Sequence, residues 1–420
     1  MKLVVTVMVR DEIDIIAPMI EHHLAQGADL IIATDNGSVD GTAEALQDYA
    51  ALGLVELHHD PVHRKQQHSV VTQMARRAFT VHGADWVINA DADEFWTAAD
   101  KSLTMRRALE STPTSLNAFS APVTNMVGPP AVRGGGVDRL LWRDHRTDEQ
   151  LQDIGIFAQP TDNAVHRGDP EVVVAQGNHF VSLESLGQPA PEFALEVLHL
   201  PWRSWQQFEM KVVNAGRGYE ASPDLRPSKN HHGMADFRRY QAGRLRSAYL
   251  LRQPLLAGLV EGQQQGFFAE DTWLRDYLHG LVPNAAVAGR LSQALAAPDE
   301  PFDEEQHRQA AALGRQFREL EAERDATDHR ADDLASVVRD LQRQLAKKTQ
   351  PTSLRTDLTR TSRRIYRGAR RRLRTPNCQR RRAPACSSLQ AASCPKMAQS
   401  PSAPNAFAPK TETGPTRANA

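Results

Sequence analysis

Hydrophobic and polar positions follow two different periods along the first hundred residues. Apolar stretches predict buried β-strands over 3–9 and 30–33, and two shorter segments, 54–57 and 86–88, predict a third and a fourth strand. Between these stretches the apolar residues recur at helical spacing, which predicts helices over 13–24, 40–46 and 69–81. Alternating strands and helices form a mostly parallel sheet with helices on both faces. The predicted fold class is therefore α/β, with polar residues gathered at the carboxyl edge of the sheet.

The pattern changes several times in the rest of the chain. Short apolar runs between Pro/Gly-rich turns predict that residues 100–235 complete the first domain with further strands and loops. Beyond them the chain turns helical, then highly charged, and finally basic and poor in large apolar residues. The predicted divisions are a first domain over 1–235, a helical extension over 236–302, a long helix over 303–348, a basic amphipathic helix over 349–375 and a disordered tail over 376–420.

Leucines on the long predicted helix indicate a seam. Leu313, Leu320, Leu334 and Leu341 occupy one heptad position, which Thr327 interrupts. Such a seam is typical of a short coiled coil, through which two copies of the chain would associate. The other seam position is often polar, so a lone solvated helix is an equal alternative.

The net charge of −1 conceals two oppositely charged parts. Residues 1–346 contain 33 basic and 49 acidic side chains, whereas residues 347–420 contain 17 basic and 2 acidic ones. An acidic body repels phosphate backbones, which argues against a nucleic-acid enzyme. In the tail, an apolar stripe along the arginine-rich segment 354–374 is typical of a helix that lies on an anionic membrane surface. RNA is the alternative partner of this segment.

Cysteine positions and the lack of long apolar stretches indicate where the protein works. All three cysteines lie after residue 377, so the body contains no disulfide and no cysteine-ligated metal. No stretch reaches the roughly 18 apolar residues that span a bilayer. Arg10 ends the first apolar run too early for a signal peptide. We expect a soluble cytoplasmic protein that touches the inner face of the plasma membrane through its tail.

The sharpest chemical signal follows the predicted strand at 86–88. Asp91 and Asp93 leave this strand as Asp-x-Asp, and an extended backbone would place both carboxylates on one side. Hard oxygen ligands so placed suit Mn²⁺ or Mg²⁺ bound together with substrate phosphates. Glu94 follows directly and is the candidate catalytic residue. The alternative is a capping cluster at a strand-to-helix turn that binds no metal.

A second polar cluster follows the strand at 30–33. Asp35 opens a turn in which Gly37 and Gly41 lead into a helix. An acidic side chain here accepts hydrogen bonds from a base or a ribose, and a helix N-terminus favours nearby phosphate. A simple turn with a helix cap explains the glycines without a ligand, but it explains Asp35 less well.

Three motifs in this order resemble the family 2 glycosyltransferases of the GT-A fold: Val9–Glu12 after the first strand, DNGSVDGT at 35–42 and WVINADADEFW at 86–96. His22, His23 and Gly27 fit the bacterial branch of that family whose members carry a DxDEF motif. The resemblance covers residues 3–97. It implies a metal-dependent enzyme that transfers a sugar from a nucleoside-diphosphate donor to an acceptor hydroxyl, with inversion at the anomeric carbon.

The resemblance also implies roles for single residues. Glu12 and Asp35 would line the nucleotide pocket, and Arg10 stands next to them where the family frequently has lysine. Asp91 would face both the ribose and the metal. Asp93 would be the direct metal ligand.

Enzymes of this fold often add a late histidine to the metal or the diphosphate. His199 ends an apolar run and is the first candidate for this ligand, whereas His179 is the competing one. Arg203 follows His199 closely and is a suitable partner for the diphosphate.

Two functional hypotheses from different classes follow. The leading one is a glycosyltransferase of cell-envelope or polysaccharide synthesis that acts on a glycan or a lipid-linked acceptor. The alternative is a catalytically silent scaffold of the same fold, tethered to a membrane or polymer by the long helix and the basic tail. Carboxylates at three strand ends favour the enzyme, because a binding module has no need of them.

Overall fold

The structure, a computed structural model, describes residues 1–62, 67–222 and 232–349, with the backbone alone described for 232, 328, 329 and 346–349. Outside the described residues lie 63–66, 223–231 and 350–420. The predicted basic helix and disordered tail therefore fall outside them. The chain divides into two units, Met1–Asp340 and Leu341–Ala420. The sheets and the site belong to the first unit.

The strands within the described residues are β1 (Leu3–Val9), β2 (Leu30–Asp35), β3 (Val55–His59), β4 (Trp86–Ala90), β5 (Glu94–Ala98), β6 (Ala118–Ala121), β7 (Val123–Val127), β8 (Ala131–Arg133), β9 (Trp142–Asp144), β10 (Asn163–Arg167), β11 (Leu195–His199), β12 (Phe268–Glu270) and β13 (Glu300–Pro301). The α-helices are α1 (Ile16–Ala25), α2 (Thr42–Ala51), α3 (Gln67–Thr80), α4 (Met105–Glu110), α5 (Asp148–Asp153), α6 (Trp205–Glu220), α7 (His232–Gln241), α8 (Leu245–Arg252), α9 (Leu256–Gln264), α10 (Trp273–His279), α11 (Ala288–Ala296) and α12 (Glu304–Thr349). A 3₁₀ turn spans Pro191–Phe193.

Six strands form the main sheet in the order β3-β2-β1-β4-β10-β6. Strands β1 to β4 run parallel, as the sequence pattern predicts, and β10 joins β4 in the antiparallel direction. Val9 lies opposite Asp35, and Val7 lies opposite Ala90. The polar residues that follow β1, β2 and β4 therefore share one edge of the sheet.

Alternating side chains of β1 build the two layers around this sheet. Val5 and Val7 lie in the same buried cluster as Ile16 and Ile20 of α1 on one face. On the other face Val4 lies in a cluster with residues of α3. Burying each such side chain stabilises the fold by about 1.5–3 kcal/mol relative to exposure. Helices cover both faces, which confirms the predicted α/β class.

A second sheet, in the order β12-β9-β7-β11-β5, brings a distant segment to the edge of the first. Strand β11 pairs antiparallel with β5, so that His199 lies opposite Glu94. The same strand pairs parallel with β7, so that His199 also lies opposite Asn125. This register places His199 beside the turn that follows β4.

The region 236–302 is mostly helical, as predicted, but it also supplies β12 to the second sheet and β13 to a small pair with β8. The long predicted helix is α12, whose His307 is buried against carbonyl groups of Leu250 and Gln253. Farther along, Leu334 is 66% exposed, and the coiled coil stays a prediction. Among the described residues, no helix has the length and apolar character that crossing a bilayer requires.

Candidate active site

Asp93, just after β4, is a buried carboxylate surrounded by cationic groups. Lys211 Nζ lies 2.5 Å from Asp93 Oδ2, and Arg203 Nη1 lies 3.3 Å from the same oxygen. His199 Nε2 lies 3.5 Å from it. Burial alone would raise the pKa of Asp93, but Lys211, His199 and Arg203 outweigh burial and hold this pKa well below its usual range. Asp93 therefore carries a negative charge at neutral pH.

Arg203 ties Asp93 to the segment that follows β1. Its side chain is fully buried, its Nε donates to Asp14 Oδ2 at 2.9 Å, and its Nη2 donates to Glu12 Oε2. Gln207 Nε2 donates to the same Glu12 oxygen at 2.8 Å. We call Glu12, Asp14, Asp93, Arg203, Lys211 and His199 the Asp93 cluster.

The sequence predicts Arg203 as a diphosphate partner and Glu12 as part of a nucleotide pocket. In the structure these two side chains bind each other, and Arg203 also pairs with Asp14 and Asp93. Glu12 accepts a further hydrogen bond from Gln207. These contacts hold Asp93 and the β1 loop in position, and the two ligand-binding roles stay predictions.

From the sequence, Lys211 lies on a predicted helix, where it would either meet phosphate or more simply belong to a solvated face; the structure places it beside Asp93. Helix α6 begins after Ser204, whose side chain accepts from Gln207 N at 3.3 Å. Gln207, Lys211 and Asn214 then lie one turn apart and contact Glu12, Asp93 and Asp11, respectively. A row of polar side chains at this spacing, next to the apolar Phe208 and Val212, is the sequence feature that indicates that this face of α6 belongs to the site.

His199 is oriented by a neighbour in the second sheet. Its Nδ1 donates to Asn125 Oδ1 at 2.9 Å, which leaves Nε2 directed towards Asp93. Burial lowers the pKa of His199, but the charge of Asp93 and its hydrogen bond outweigh burial and raise this pKa. The competing candidate, His179, contacts Asn163 Oδ1 at 2.8 Å, and the same asparagine donates to Glu94.

Asp91 and Asp93 are held by different partners. The chain turns after Ala90, and Glu94 N donates to Asp91 O at 3.1 Å. Asp91 Oδ1 accepts from Gln67 Nε2 at 3.0 Å and from Asn178 Nδ2 at 3.2 Å. The expectation of two carboxylates on one side of an extended backbone is therefore wrong. A turn sends one side chain towards α3 and the other towards α6.

Glu94 holds this turn together. Its Oε2 accepts from Asp91 N at 3.0 Å, and its Oε1 accepts from Asn163 Nδ2 at 2.8 Å. Burial, reinforced by the charge of Asp91, raises the pKa of Glu94 to about 8. The two hydrogen bonds give Glu94 a part in positioning the turn, and its catalytic role stays a prediction.

Asp35 and Arg10 shape the neighbouring part of the edge. Gly37 N and Ser38 N each donate to Asp35 at 3.2 Å, and Arg10 Nη1 donates to Asn36 O at 2.8 Å. A cavity of about 290 Å³ lies at the ends of β2 and β3. Its polar lining comes from Thr34, His58, His59, Asp60, Gln73 and Arg77.

A second cavity, of about 230 Å³, opens beyond the Asp93 cluster. Its charged and polar lining comes from Asp93, His199, Lys211, Asp236 and Arg252, and the rest of its lining is mostly apolar. We call this space the Asp93–Asp236 cavity.

The donors around Asp93 fit a hard divalent cation that also binds phosphate. Every contact that Asp93 makes with side chains of the described residues uses Oδ2, while His199 Nε2 offers a nitrogen close by. Mn²⁺ and Mg²⁺ bind through one or two protein ligands and take further oxygens from substrate phosphates. No group of three or more His, Cys, Asp or Glu suited to a metal ion occurs in the part of the chain that the structure describes. Asp93 and His199 are the two side chains at this point that could hold such an ion, and the metal role of Asp91 stays a prediction.

Comparison with known proteins gives one family and several distant folds. Residues 5–125 match the model of glycosyltransferase family 92. No curated protein matches the chain. Crystal structures of TarS 1-349 from S. aureus are similar at 11% identity and a TM-score of 0.28, covering 60% of this chain and 71% of that chain. The same fragment in complex with UDP gives 13% identity and a TM-score of 0.28, with 70% and 81% covered.

Glucosyl-3-phosphoglycerate synthase from Mycobacterium tuberculosis, crystallised with Mn²⁺, UDP and glucosyl-3-phosphoglycerate, gives 17% identity and a TM-score of 0.21, with 40% of this chain and 56% of that chain covered. TM-scores this low do not transfer any ligand to this protein. The family match covers the strands that carry Glu12, Asp35 and Asp93. The matched model is that of family 92 rather than family 2, and it supports a glycosyltransferase.

Proposed function

We propose that the protein transfers a sugar from a nucleoside-diphosphate donor to an acceptor hydroxyl with the help of Mn²⁺ or Mg²⁺. The observation that carries the proposal is the Asp93 cluster, in which a buried carboxylate, a histidine and a partly exposed lysine meet at the carboxyl edge of a parallel sheet. In the reaction the bond between the anomeric carbon and the diphosphate oxygen breaks, and the nucleoside diphosphate leaves. The acceptor oxygen bonds to the anomeric carbon, and its proton passes to a carboxylate that acts as general base. The resemblance to family 2 enzymes implies inversion at that carbon.

The charge of the cluster explains the need for a cation. Its three carboxylates face Arg203, Lys211 and His199, so the formal charge is 0 with His199 protonated and −1 with His199 neutral. A donor diphosphate adds negative charge to a largely buried site, where unbalanced charge is costly. A divalent ion held by Asp93 and His199 supplies the charge that neutralises the departing diphosphate.

Lys211 is the side chain best placed to bind the diphosphate. Its side chain is 33% exposed, whereas that of Arg203 is fully buried. Rotation about its flexible stem moves the ammonium group from Asp93 to a phosphate oxygen, which lysine binds as a compact charge. Arg203 meanwhile keeps Glu12 and Asp93 in place.

The nucleoside is expected on the other side of the turn. Asp91 contacts Gln67 and Asn178 there. Asp35 lies 3.7 Å from His59, which lines the cavity at the ends of β2 and β3. An acidic side chain in this position accepts from ribose or base hydrogens. TarS was crystallised with UDP and with UDP-GlcNAc, so uridine nucleotides are the first donors to test.

The proposed class of acceptor follows from the positive charge of the C-terminal tail. A surplus of 15 positive charges over residues 347–420 suits an anionic membrane surface, where a lipid-linked or cell-envelope acceptor would be met from the cytoplasmic side. Self-association through 303–348 would bring several catalytic domains to that surface. Both remain proposals.

A panel of nucleotide sugars tests the function directly. Each is added to the protein with and without Mn²⁺, and thermal stability and slow donor hydrolysis are followed. We expect one donor to raise the melting temperature and to be hydrolysed only when the metal is present. If no donor responds under either condition, the proposal fails and the silent scaffold is favoured. The configuration of the sugar product, read by NMR, tests inversion.

A further inference from the structure

A short hairpin over residues 172–182 packs against helix α3. Val174 pairs antiparallel with Val181 and is fully buried in a cluster with residues of α3. Thr72 Oγ1, on that helix, accepts a hydrogen bond from Val174 N at 3.0 Å. Because these contacts attach the hairpin to a regular element, its tip at 175–180 has a defined position beside the main sheet.

Two side chains of the hairpin tip converge on Asp91, in the turn after β4. Asn178 Nδ2 donates to Asp91 Oδ1 at 3.2 Å. Gln67 Nε2 donates to the same oxygen at 3.0 Å, and Gln67 in turn accepts a hydrogen bond from Gln176. The hairpin therefore holds the Asp91 carboxylate by one direct contact and by one contact through a neighbour.

The backbone of Asn178 adopts a conformation that favours glycine. Its φ of 64° lies in the left-handed region, where a β-carbon is costly and asparagine is tolerated better than most residues. Asn178 N donates to Ala175 O at 3.1 Å, and Ala164 N donates to Asn178 O at 3.0 Å. Neither bond needs a side chain, so glycine would serve the turn without steric cost. This indicates that the asparagine side chain has a task besides forming the turn.

The contacts of this side chain show what the task is. Asn178 is 1% exposed, so water hardly competes for its amide. In the described part of the chain Asn178 Oδ1 has no hydrogen-bond partner, and the bond from Nδ2 to Asp91 is the one that the amide makes there. A hydrogen bond to a carboxylate is stronger than one between neutral groups, and fixing one oxygen of the carboxylate also fixes the direction of the other. Resting on the proposed function, we propose that Asn178 is a positioning residue that orients Asp91 towards the nucleoside of the donor.

Asn178→Gly tests this proposal, because glycine keeps the left-handed backbone and removes the amide. The probe is the nucleoside diphosphate of the donor that the nucleotide-sugar panel identifies, titrated by calorimetry. We expect its affinity to fall roughly tenfold or more, while the melting temperature shows that the variant is folded. Asn117→Gly, at an exposed asparagine, is the matched control and should bind the nucleotide as the wild type does.

A double-mutant cycle separates positioning from a merely structural role. Asp91→Ala is combined with Asn178→Gly, and nucleotide affinity is measured for the wild type, both single variants and the double variant. If Asn178 acts through Asp91, glycine costs roughly tenfold in the wild-type background and less than about twofold in the Asp91→Ala background.

A second substitution covers the case in which the glycine variant does not fold. Aspartate also tolerates the left-handed backbone, and Asn178→Asp places a negative charge beside Asp91. It should weaken nucleotide binding in the wild-type background and much less in the Asp91→Ala background.

Three results overturn the inference and leave the proposed function standing. Unchanged nucleotide affinity in Asn178→Gly would show that the asparagine serves the turn alone. Equal losses in both backgrounds would show that it acts independently of Asp91. Full nucleotide affinity in Asp91→Ala would show that this carboxylate does not face the nucleoside. A wild-type protein for which the panel yields no donor overturns the proposed function itself, which separates the two failures.

Discussion

Replacing Lys211 by methionine should affect metal binding and turnover in opposite directions. Lys211 Nζ lies 2.5 Å from Asp93 and 3.4 Å from Glu12, so it competes with any cation for the Asp93 carboxylate. Methionine keeps the length of the side chain and removes the charge. Without the competing ammonium group, Mn²⁺ alone should bind about tenfold more tightly, which corresponds to about 1.4 kcal/mol.

Turnover should fall because the donor diphosphate loses its lysine. A hydrogen bond to a charged group contributes about 1.5–3 kcal/mol, which corresponds to a roughly 10- to 100-fold loss in kcat/KM. The free energy of unfolding should change by about 1 kcal/mol or less, since the lysine is one-third exposed and water screens the pair.

Two assays on one preparation decide the matter. Electron paramagnetic resonance of free Mn²⁺ gives the metal affinity, and steady-state transfer gives kcat/KM. Arg217→Met, on an exposed position of the same helix, is the control and should leave both unchanged. Weaker Mn²⁺ binding in Lys211→Met, or turnover equal to that of the wild type, would refute the reasoning.

Three further predictions address the turn, acid stability and the tail. Glu94→Gln should lower the free energy of unfolding by about 1–3 kcal/mol, because an amide cannot accept both hydrogen bonds from Asp91 N and Asn163 Nδ2. We expect kcat to stay within about tenfold of the wild type. Denaturation and steady-state kinetics measure the two effects, and a hundredfold loss of kcat at unchanged stability would make Glu94 the base. Burial lowers the pKa of His23 and of His166 from 6.5 to about 4. Since the unfolded chain takes up these protons first, stability should fall as the pH drops from about 6.5 towards 4, by about 2 kcal/mol per histidine between pH 7 and pH 5. Urea denaturation at the two pH values measures this loss, which His166→Asn should reduce; equal stability at both would contradict it. Truncation after Lys348 should leave donor hydrolysis intact and abolish binding to anionic vesicles, measured by co-sedimentation. If the full-length protein does not bind such vesicles at low salt, or binds RNA in preference to them, membrane contact is contradicted.

The main sheet was predictable from the sequence because its signal is local. Strands β1, β2 and β4 are almost wholly buried and begin as apolar runs, whereas β3 is only partly buried; the helices between the strands show a clear period. Strands β7, β9 and β12 are only three to five residues long, and each gains its stability from partners far away in the chain. No periodic pattern of that length distinguishes a strand from a loop.

The site was predictable in part for the same reason. Asp93 and His199 were singled out by position at strand ends, and the pairing of β5 with β11 brings them together. The burial of Arg203 depends on Asp14 and Glu12 from another element, which no local pattern reveals. Lys211 looked like part of a solvated helix face until the packing of α6 placed it beside Asp93.

The most direct test of the central claim is donor binding and turnover by Asp93→Asn. Asparagine keeps the shape of the side chain and removes the charge that would hold the metal. With the donor from the panel, titration calorimetry with and without Mn²⁺ should show metal-dependent binding in the wild type and none in the variant. We expect kcat to fall about a hundredfold or more while the variant stays folded at the assay temperature. A variant that melts a few degrees lower yet binds donor with Mn²⁺ and transfers sugar at nearly the wild-type rate would contradict the account.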